Sequence, residues 1–432
     1  MRSTTKQNSR DYGASESTAL LTPSVELDDL GEPAKLIPRH RLRIRKLLLV
    51  VLVITLLTPI YHIARFLHSA NPRPPLVPWR YYSRQHVYGL TSATPSINEF
   101  INPDFFPAGV AGCVRLLTGK TSQSDHLLVY VQIYSTEPST VEYITPLASA
   151  DDVSVTSVRS KPMNHNPAHR TFVDVYIYTH PSANLSHLSI STNTLPIEIP
   201  ASVRLTTEKL SLSSNHHISN EGGEDLRAGH ISLSSAFGVI NGSWAFDTTF
   251  VANAGGNNAL LKLQPRTHRP GNISISAKYH ISATIPFETS QKKDTTISIL
   301  SERGNINAHL LASTFTNITA AAGDIIGRLL PTGMSTVETY SKFNTSLVIE
   351  RPGAFKARHV AYDGWIDVEY PDEWTGGIKV ESLHRRAEIL GIDGAEVGGV
   401  VREREGKVYL NGQGEGRVEV FGGEDAVFRF RG

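Results

Sequence analysis

Apolar and polar positions follow different rhythms in different parts of the chain. Leu47–Ala64, LLLVVLVITLLTPIYHIA, runs eighteen residues without Lys, Arg, Asp or Glu. As a helix it spans about 27 Å, close to the hydrocarbon thickness of a bilayer. The spacing predicts a transmembrane helix over 47–66. From Ala111 the rhythm changes to period two. Val114–Leu117, Leu127–Tyr134, Phe172–Tyr178 and Leu188–Ser191 alternate as strands do, separated by turn formers such as Glu137-Pro138-Ser139. These predict an antiparallel, β-sandwich-like unit over 111–220.

Beyond it the alternation repeats. Strand-like starts recur near Ile231, Phe250, Ile273, Ile297, Ile318, Val337, Phe355 and Ile378, at intervals of 19, 23, 24, 21, 19, 18 and 23 residues. A unit of that size cannot bury its own apolar face, so stacked copies of it must cover one another. Small Ala, Ser and Gly fall where the chain would turn within a coil. A plain meander of hairpins would show the alternation but not the interval. The expected fold is all-β, with a β-solenoid-like repeat domain over 221–432. The charged strands of Val400–Phe430 are expected to cap it against end-to-end stacking.

Residues 1–46 are polar, aperiodic and poor in aromatics, as expected of a disordered tail. Prolines 72, 74, 75, 78, 95, 103 and 107 punctuate 67–110 and suggest an extended stalk. Arg39, Arg41, Arg43, Arg45 and Lys46 crowd the N-terminal flank of the apolar run, and the other flank holds only Arg65 nearby. Positive charge stays cytoplasmic, so the expected protein is type II, with its C-terminal part lumenal or extracellular. A cleaved signal peptide would need a shorter lead and a small residue where His68 stands. Asn-x-Ser/Thr sequons at Asn184, Asn241, Asn272, Asn317 and Asn344 all follow the anchor and are expected glycan acceptors. Glu16, Leu20 and Leu21 fit an acidic dileucine signal, which a coat adaptor would read and which would direct the chain to an endosome or vacuole instead of the cell surface.

Formal charge is +1, which gives no reason to expect nucleic acid as a partner. Cys113 stands alone, so no internal disulfide is available, and a buried free thiol is expected over an intermolecular bridge. No catalytic constellation stands out. Glycosyltransferases share the type II layout, but Asp-x-Asp and alternating βα units are both missing. A carbohydrate-active enzyme on a parallel β-helix is the competing reading, with Asp324, Asp363, Asp367 and Glu369 as the acids near turns that could converge on a groove. Turn acids are also common for conformational reasons. His165 and His169 have helical metal-ligand spacing, yet Pro162 and Pro167 break any helix there, and His216-His217 reads as a solvated turn. Trp244, Trp365 and Trp374 could stack on sugar rings or cover coil ends. No cofactor or metal is expected.

Ile231–Trp244, Ile297–Leu310 and above all Val360–Val380, with its Tyr370-Pro371-x-x-Trp374-x-Gly-x-Ile core, resemble the adhesin-like domain of fungal membrane proteins. The resemblance covers about Phe172–Phe421; Lys278–His280 and Leu383–Arg386 depart from it by lacking the turn glycine. It implies a β-solenoid-like fold, a single membrane anchor and no enzymatic residues. The expected function is therefore an adhesin-like binding or structural ectodomain, with the bilayer, an adaptor and cell-wall or surface glycans as partners.

Overall fold

The computed structural model describes residues 81–431 apart from 107–108, 123–124, 158–169, 223–224, 267–270, 286–294, 313, 332–334, 351–354, 375, 392–400, 405–406 and 411–414. The tail with Glu16, Leu20 and Leu21, the apolar run 47–66, the first part of the stalk, and His165 and His169 lie outside these residues. Among the described residues no helix is long and apolar enough to cross a membrane. Among the described residues, helical structure is limited to a 3-10 turn at Pro103–Phe105 and one short helix, Pro138–Tyr143.

The strands form a ladder of two facing rows. Each rung gives one strand to a front row and, after a short turn, one to a back row. In front, Asn184–Thr192, Leu205–Ser214, Leu226–Ser235, the end of Ile240–Ala254, Gly271–Ala277 and Thr295–Ser301 pair in parallel, each with the next. At the back, Ile197–Ile199, Ile218–Asn220, the start of Ile240–Ala254, Ala259–Pro265, Ile281–Thr284 and Ile306–Ala312 do the same. Ile240–Ala254 is one long strand that passes from the back row to the front.

Side chains alternate across each strand, so in-register stacking aligns like with like. Leu188, Leu210, Ile231, Phe250, Ile273 and Ile297 form one inward column, at most 1% exposed. The expected repeat therefore exists and reaches further back than Ile231: the rungs at Leu188 and Leu210 belong to it. Later starts slip by two residues, Ile299 pairing with Ile318 and Thr316 with Val337, a slip that keeps the same face inward.

The antiparallel sandwich expected before residue 220 is a mixed arrangement. Leu127–Ser135 is antiparallel to Thr171–Thr179 and to Tyr82–Leu90, but Val110–Thr118 pairs in parallel with Thr171–Thr179 and Ile197–Ile199. Alternation reports a half-buried strand whichever way its neighbour runs, which is why direction was not legible. Two strands, Tyr82–Leu90 and Ser96–Phe100, fall within the 67–110 stretch read as a stalk. Ser96–Phe100 pairs on both sides, and Pro95 and Pro103 lie just outside it, where a missing N–H breaks no ladder bond.

Rung order departs from chain order at both ends. Ser96–Phe100 lies between Asp152–Ser157 and Asn184–Thr192. Likewise Arg417–Gly422 lies between Lys356–Ala361 and Gly377–Ser382, with Ala426–Arg431 between Ile366–Pro371 and Ala387–Leu390. Of the stretch expected as a cap, the antiparallel hairpin Val401–Arg404 with Lys407–Leu410 does sit at the margin, against Gly377–Ser382. Arg417–Phe421 is inside the stack: Val418 and Val420 point inward at 1% exposure, and Arg417 and Glu419, alternating with them, face out.

Candidate functional site

The turn that joins the front and back strands of each rung repeats along one edge of the ladder. A column of small residues opens it: Ser214, Ser235, Ala254, Ala277, Ser301, Ala320, Ser341 and Ala361 lie side by side in register. The serines also hold the corner, Ser214 Oγ donating to Leu195 O at 3.1 Å and Ser235 Oγ to His216 O at 2.6 Å.

A further column closes the turn. Asn258 Oδ1 accepts from His280 N at 3.0 Å, His280 Nδ1 from Asn305 N at 3.1 Å, and Asn305 Oδ1 from Asp324 N at 3.0 Å. Asp324 Oδ1 accepts from Asn344 N at 2.8 Å, and Asn344 Oδ1 from Trp365 N at 3.2 Å. Each polar side chain thus satisfies a backbone N–H of the next rung, which the turn would otherwise leave without a strand partner.

Between these columns the turns carry side chains that point to solvent. Phe237, Tyr279, Phe343, Tyr362, Trp365 and Leu383 all lie here and all are exposed, Phe237 to 72%. Lys278 Nζ sits 5.5 Å from the Tyr279 ring centroid and Lys342 Nζ 5.6 Å from that of Phe343. Most exposed aromatics among the described residues therefore share one edge.

The tryptophans divide. Trp244 is fully buried beside Phe250, and Trp374 packs 5.0 Å from Phe355 and 5.5 Å from Tyr370, so neither meets solvent. Both fill the core, and only Trp365 remains available for stacking. The Tyr-Pro-x-x-Trp sequence is thus an aromatic core element. Against it lies His359, fully buried, whose Nδ1 lies 2.9 Å from Thr339 Oγ1 and Nε2 2.9 Å from the Tyr370 hydroxyl.

The candidate acids have separate structural duties. Asp324 belongs to the turn ladder. Asp367 accepts from Arg429 Nε at 2.8 and 3.0 Å on the outer face of the back row, and Glu369 lies 3.6 Å from Arg431. Asp363 is exposed in its turn. His216 and His217 stand on the turn edge, their carbonyls accepting from Ser235 and Ile197. Cys113 is buried, 3.7 Å from Asp174 Oδ1 and beside the Arg115–Glu198 pair, and burial pushes its thiol well above the usual range, leaving it unreactive. Among sequon residues, Asn184, Asn241 and Asn272 are exposed, while Asn317 and Asn344 are half-buried. Asn184, Asn272 and Asn317 share the front row with outward Ser189, Ser211, Ser232, Ser274 and Ser298.

Sequence reading missed most of the edge. Its signal was an aromatic placed just after the small corner residue, as in Lys278-Tyr279-His280. Lys278–His280 and Leu383–Arg386 stand out in the sequence for lacking the turn glycine, and both fall on this edge.

No family model matches the sequence, and no curated protein does. Among solved structures, a candidate adhesin from Parabacteroides merdae matches at 11% identity over 67% of this chain and 92% of its own, with a TM-score of 0.24. One from Bacteroides fragilis matches at 10% identity over 64% and 97%, with a TM-score of 0.23. A candidate cell adhesion protein from Clostridium sporogenes matches at 10% identity over 81% and 100%, with a TM-score of 0.15. TM-scores this low transfer no activity to this chain.

Proposed function

We propose that this chain is a non-enzymatic, adhesin-like binding ectodomain, carried as a single-pass type II membrane glycoprotein. The observation that carries the reading is the turn edge: a regular ladder holds several exposed aromatic side chains along one edge, on backbone that its own Asn and Asp residues tie down. Rigid presentation of apolar side chains to solvent suits binding, because little ordering remains to be done on contact. Of the acids that an enzyme would need, Asp324 is engaged in a ladder bond and Asp367 and Glu369 in ion pairs with Arg429 and Arg431. The front row's serine face, with Asn272 and Asn317 upon it, suits a glycan-bearing display surface. In this reading 47–66 anchors the chain in the bilayer, 1–46 is cytoplasmic, and Glu16, Leu20 and Leu21 engage a coat adaptor. The ectodomain then faces an endosomal or vacuolar lumen or the cell exterior, where surface glycans are its partners.

The test is attachment. Beads carrying the full chain in lipid vesicles are incubated with glycan-coated plates while soluble reducing ends are measured. The reading expects attachment without sugar release; release of sugar ends, with or without attachment, supports the enzyme instead.

A further inference from the structure

We infer that the turn edge around Phe343, Tyr362 and Trp365 is the binding site, and that its ligand is an uncharged, extended polysaccharide lying along the ladder axis. The inference deepens the binding reading above and rests on it. Phe343 belongs to the rung of Thr336–Ser341 and Thr345–Ile349, and Tyr362 and Trp365 to the neighbouring rung of Lys356–Ala361 and Ile366–Pro371. All three are exposed, Tyr362 to 57% and Trp365 to 41%. Their backbone is fixed by the rung before: Phe343 N donates to Gly323 O, Tyr362 N to Ser341 O at 3.0 Å, and Trp365 N to Asn344 Oδ1 at 3.2 Å. Aromatic faces held in this way suit the C–H faces of sugar rings, and the two neighbouring rungs offer them one step of about 4.8 Å apart along the ladder axis.

Charge decides between ligand classes. Lys278, Arg303, Lys342 and Arg385 on these turns are answered on the same edge by Glu302, Asp324, Asp363 and Glu424. An acidic polymer or anionic membrane would find no net attraction there. Shape speaks against a folded protein partner. The edge is one turn wide, whereas a stable protein interface covers about 800 Å² per partner. A linear chain needs only the ridge. Asn344 lies within the site, so a glycan on its Nδ2 would cover Trp365 and Phe343, and the bare edge is the competent form.

The experiment is electrophoresis of the deglycosylated full-length chain in detergent, through native gels cast with dextran, yeast mannan, a soluble β-glucan or alginate. The chain is compared with Tyr362→Ala/Trp365→Ala, with Phe343→Ala on the adjacent rung, and with Leu260→Ala/Ile326→Ala, exposed apolar residues of the back row. At least one neutral polymer is expected to retard the native chain regardless of added salt. The double variant is expected to lose about tenfold in apparent affinity, and the back-row control nothing. If the double variant melts early, Phe343→Ala carries the comparison. Retardation by alginate alone that salt abolishes, equal retardation of edge variants and native chain, or no retardation by any neutral polymer overturns the inference. Bead attachment that persists in the edge variants would overturn it too while leaving the binding function standing; loss of all attachment by the native chain would remove that function itself.

Discussion

At the scale of single residues, three positions carry more than their neighbours. His359 is buried with burial pulling its imidazole down to about 3. The unfolded chain takes up that proton near the ordinary value of 6.5, so between 6.5 and 3 acid favours the unfolded state, by up to about 1.4 kcal/mol per pH unit. Melting temperature should therefore fall across this window, and fall less in His359→Gln; an identical pH slope in the two proteins contradicts the assignment. Glu99, 1% exposed, accepts from the backbone N–H groups of Ile101, Asn193, Thr194 and Leu195 and so ties Ser96–Phe100 to the first turn of the ladder. Glu99→Gln exchanges an acceptor for a donor that faces those groups, and denaturant titration should show a loss of about 1–3 kcal/mol. Gly242 has φ +122°, and a β-carbon there would lie 2.1 Å from Asn220 O, so Gly242→Ala should lower the melting temperature clearly more than an exposed Gly-to-Ala change. Of these, only His359 was legible: in Lys-Ala-Arg-His-Val-Ala it falls in phase with Ala357 and out of phase with Arg358. Glu99 reads as an ordinary surface acid, because its partners Asn193, Thr194 and Leu195 lie more than ninety residues on.

At the scale of elements, the corner and the turn ladder explain why the interval between rungs varies while the stack does not. Extra or missing residues fall within the turns or the opposite connections, and the small column and the Asn/Asp column restore register each time. Asn305→Ala removes the acceptor for Asp324 N and should cost about 0.5–1.5 kcal/mol by thermal or chemical unfolding, without loss of strand content by circular dichroism. The alternation and the interval were both readable because each rung must turn the same face inward. Strand direction and the exposed aromatics were not. Direction depends on which segment arrives beside which. Each exposed aromatic, taken alone, resembles any apolar position that happens to fall in a turn.

At the scale of the molecule, orientation and rung order are the consequences worth testing. Passage of the ectodomain through a secretory lumen predicts that endoglycosidase treatment shifts the full chain's gel mobility, with Asn272→Gln removing one step of that shift. No shift in a eukaryotic host counts against the type II topology. Rung order matters more, since it sets which edge residues are neighbours. The final rung, Arg417–Gly422 with Ala426–Arg431, separates the rung of Tyr362 and Trp365 from that of Leu383. A ladder stacked in chain order would instead put those two side by side. Arg358 pairs with Glu419, and Glu419 with Lys379, so the first pair stands about one strand spacing apart and the outer two about twice that. The most direct measurement is therefore disulfide formation in a Cys113→Ala background. Arg358→Cys/Glu419→Cys should oxidise readily, its backbone separation falling within disulfide reach, and Arg358→Cys/Lys379→Cys should not. The reverse result, bonding at 358 and 379 but not at 358 and 419, would contradict the ladder described here.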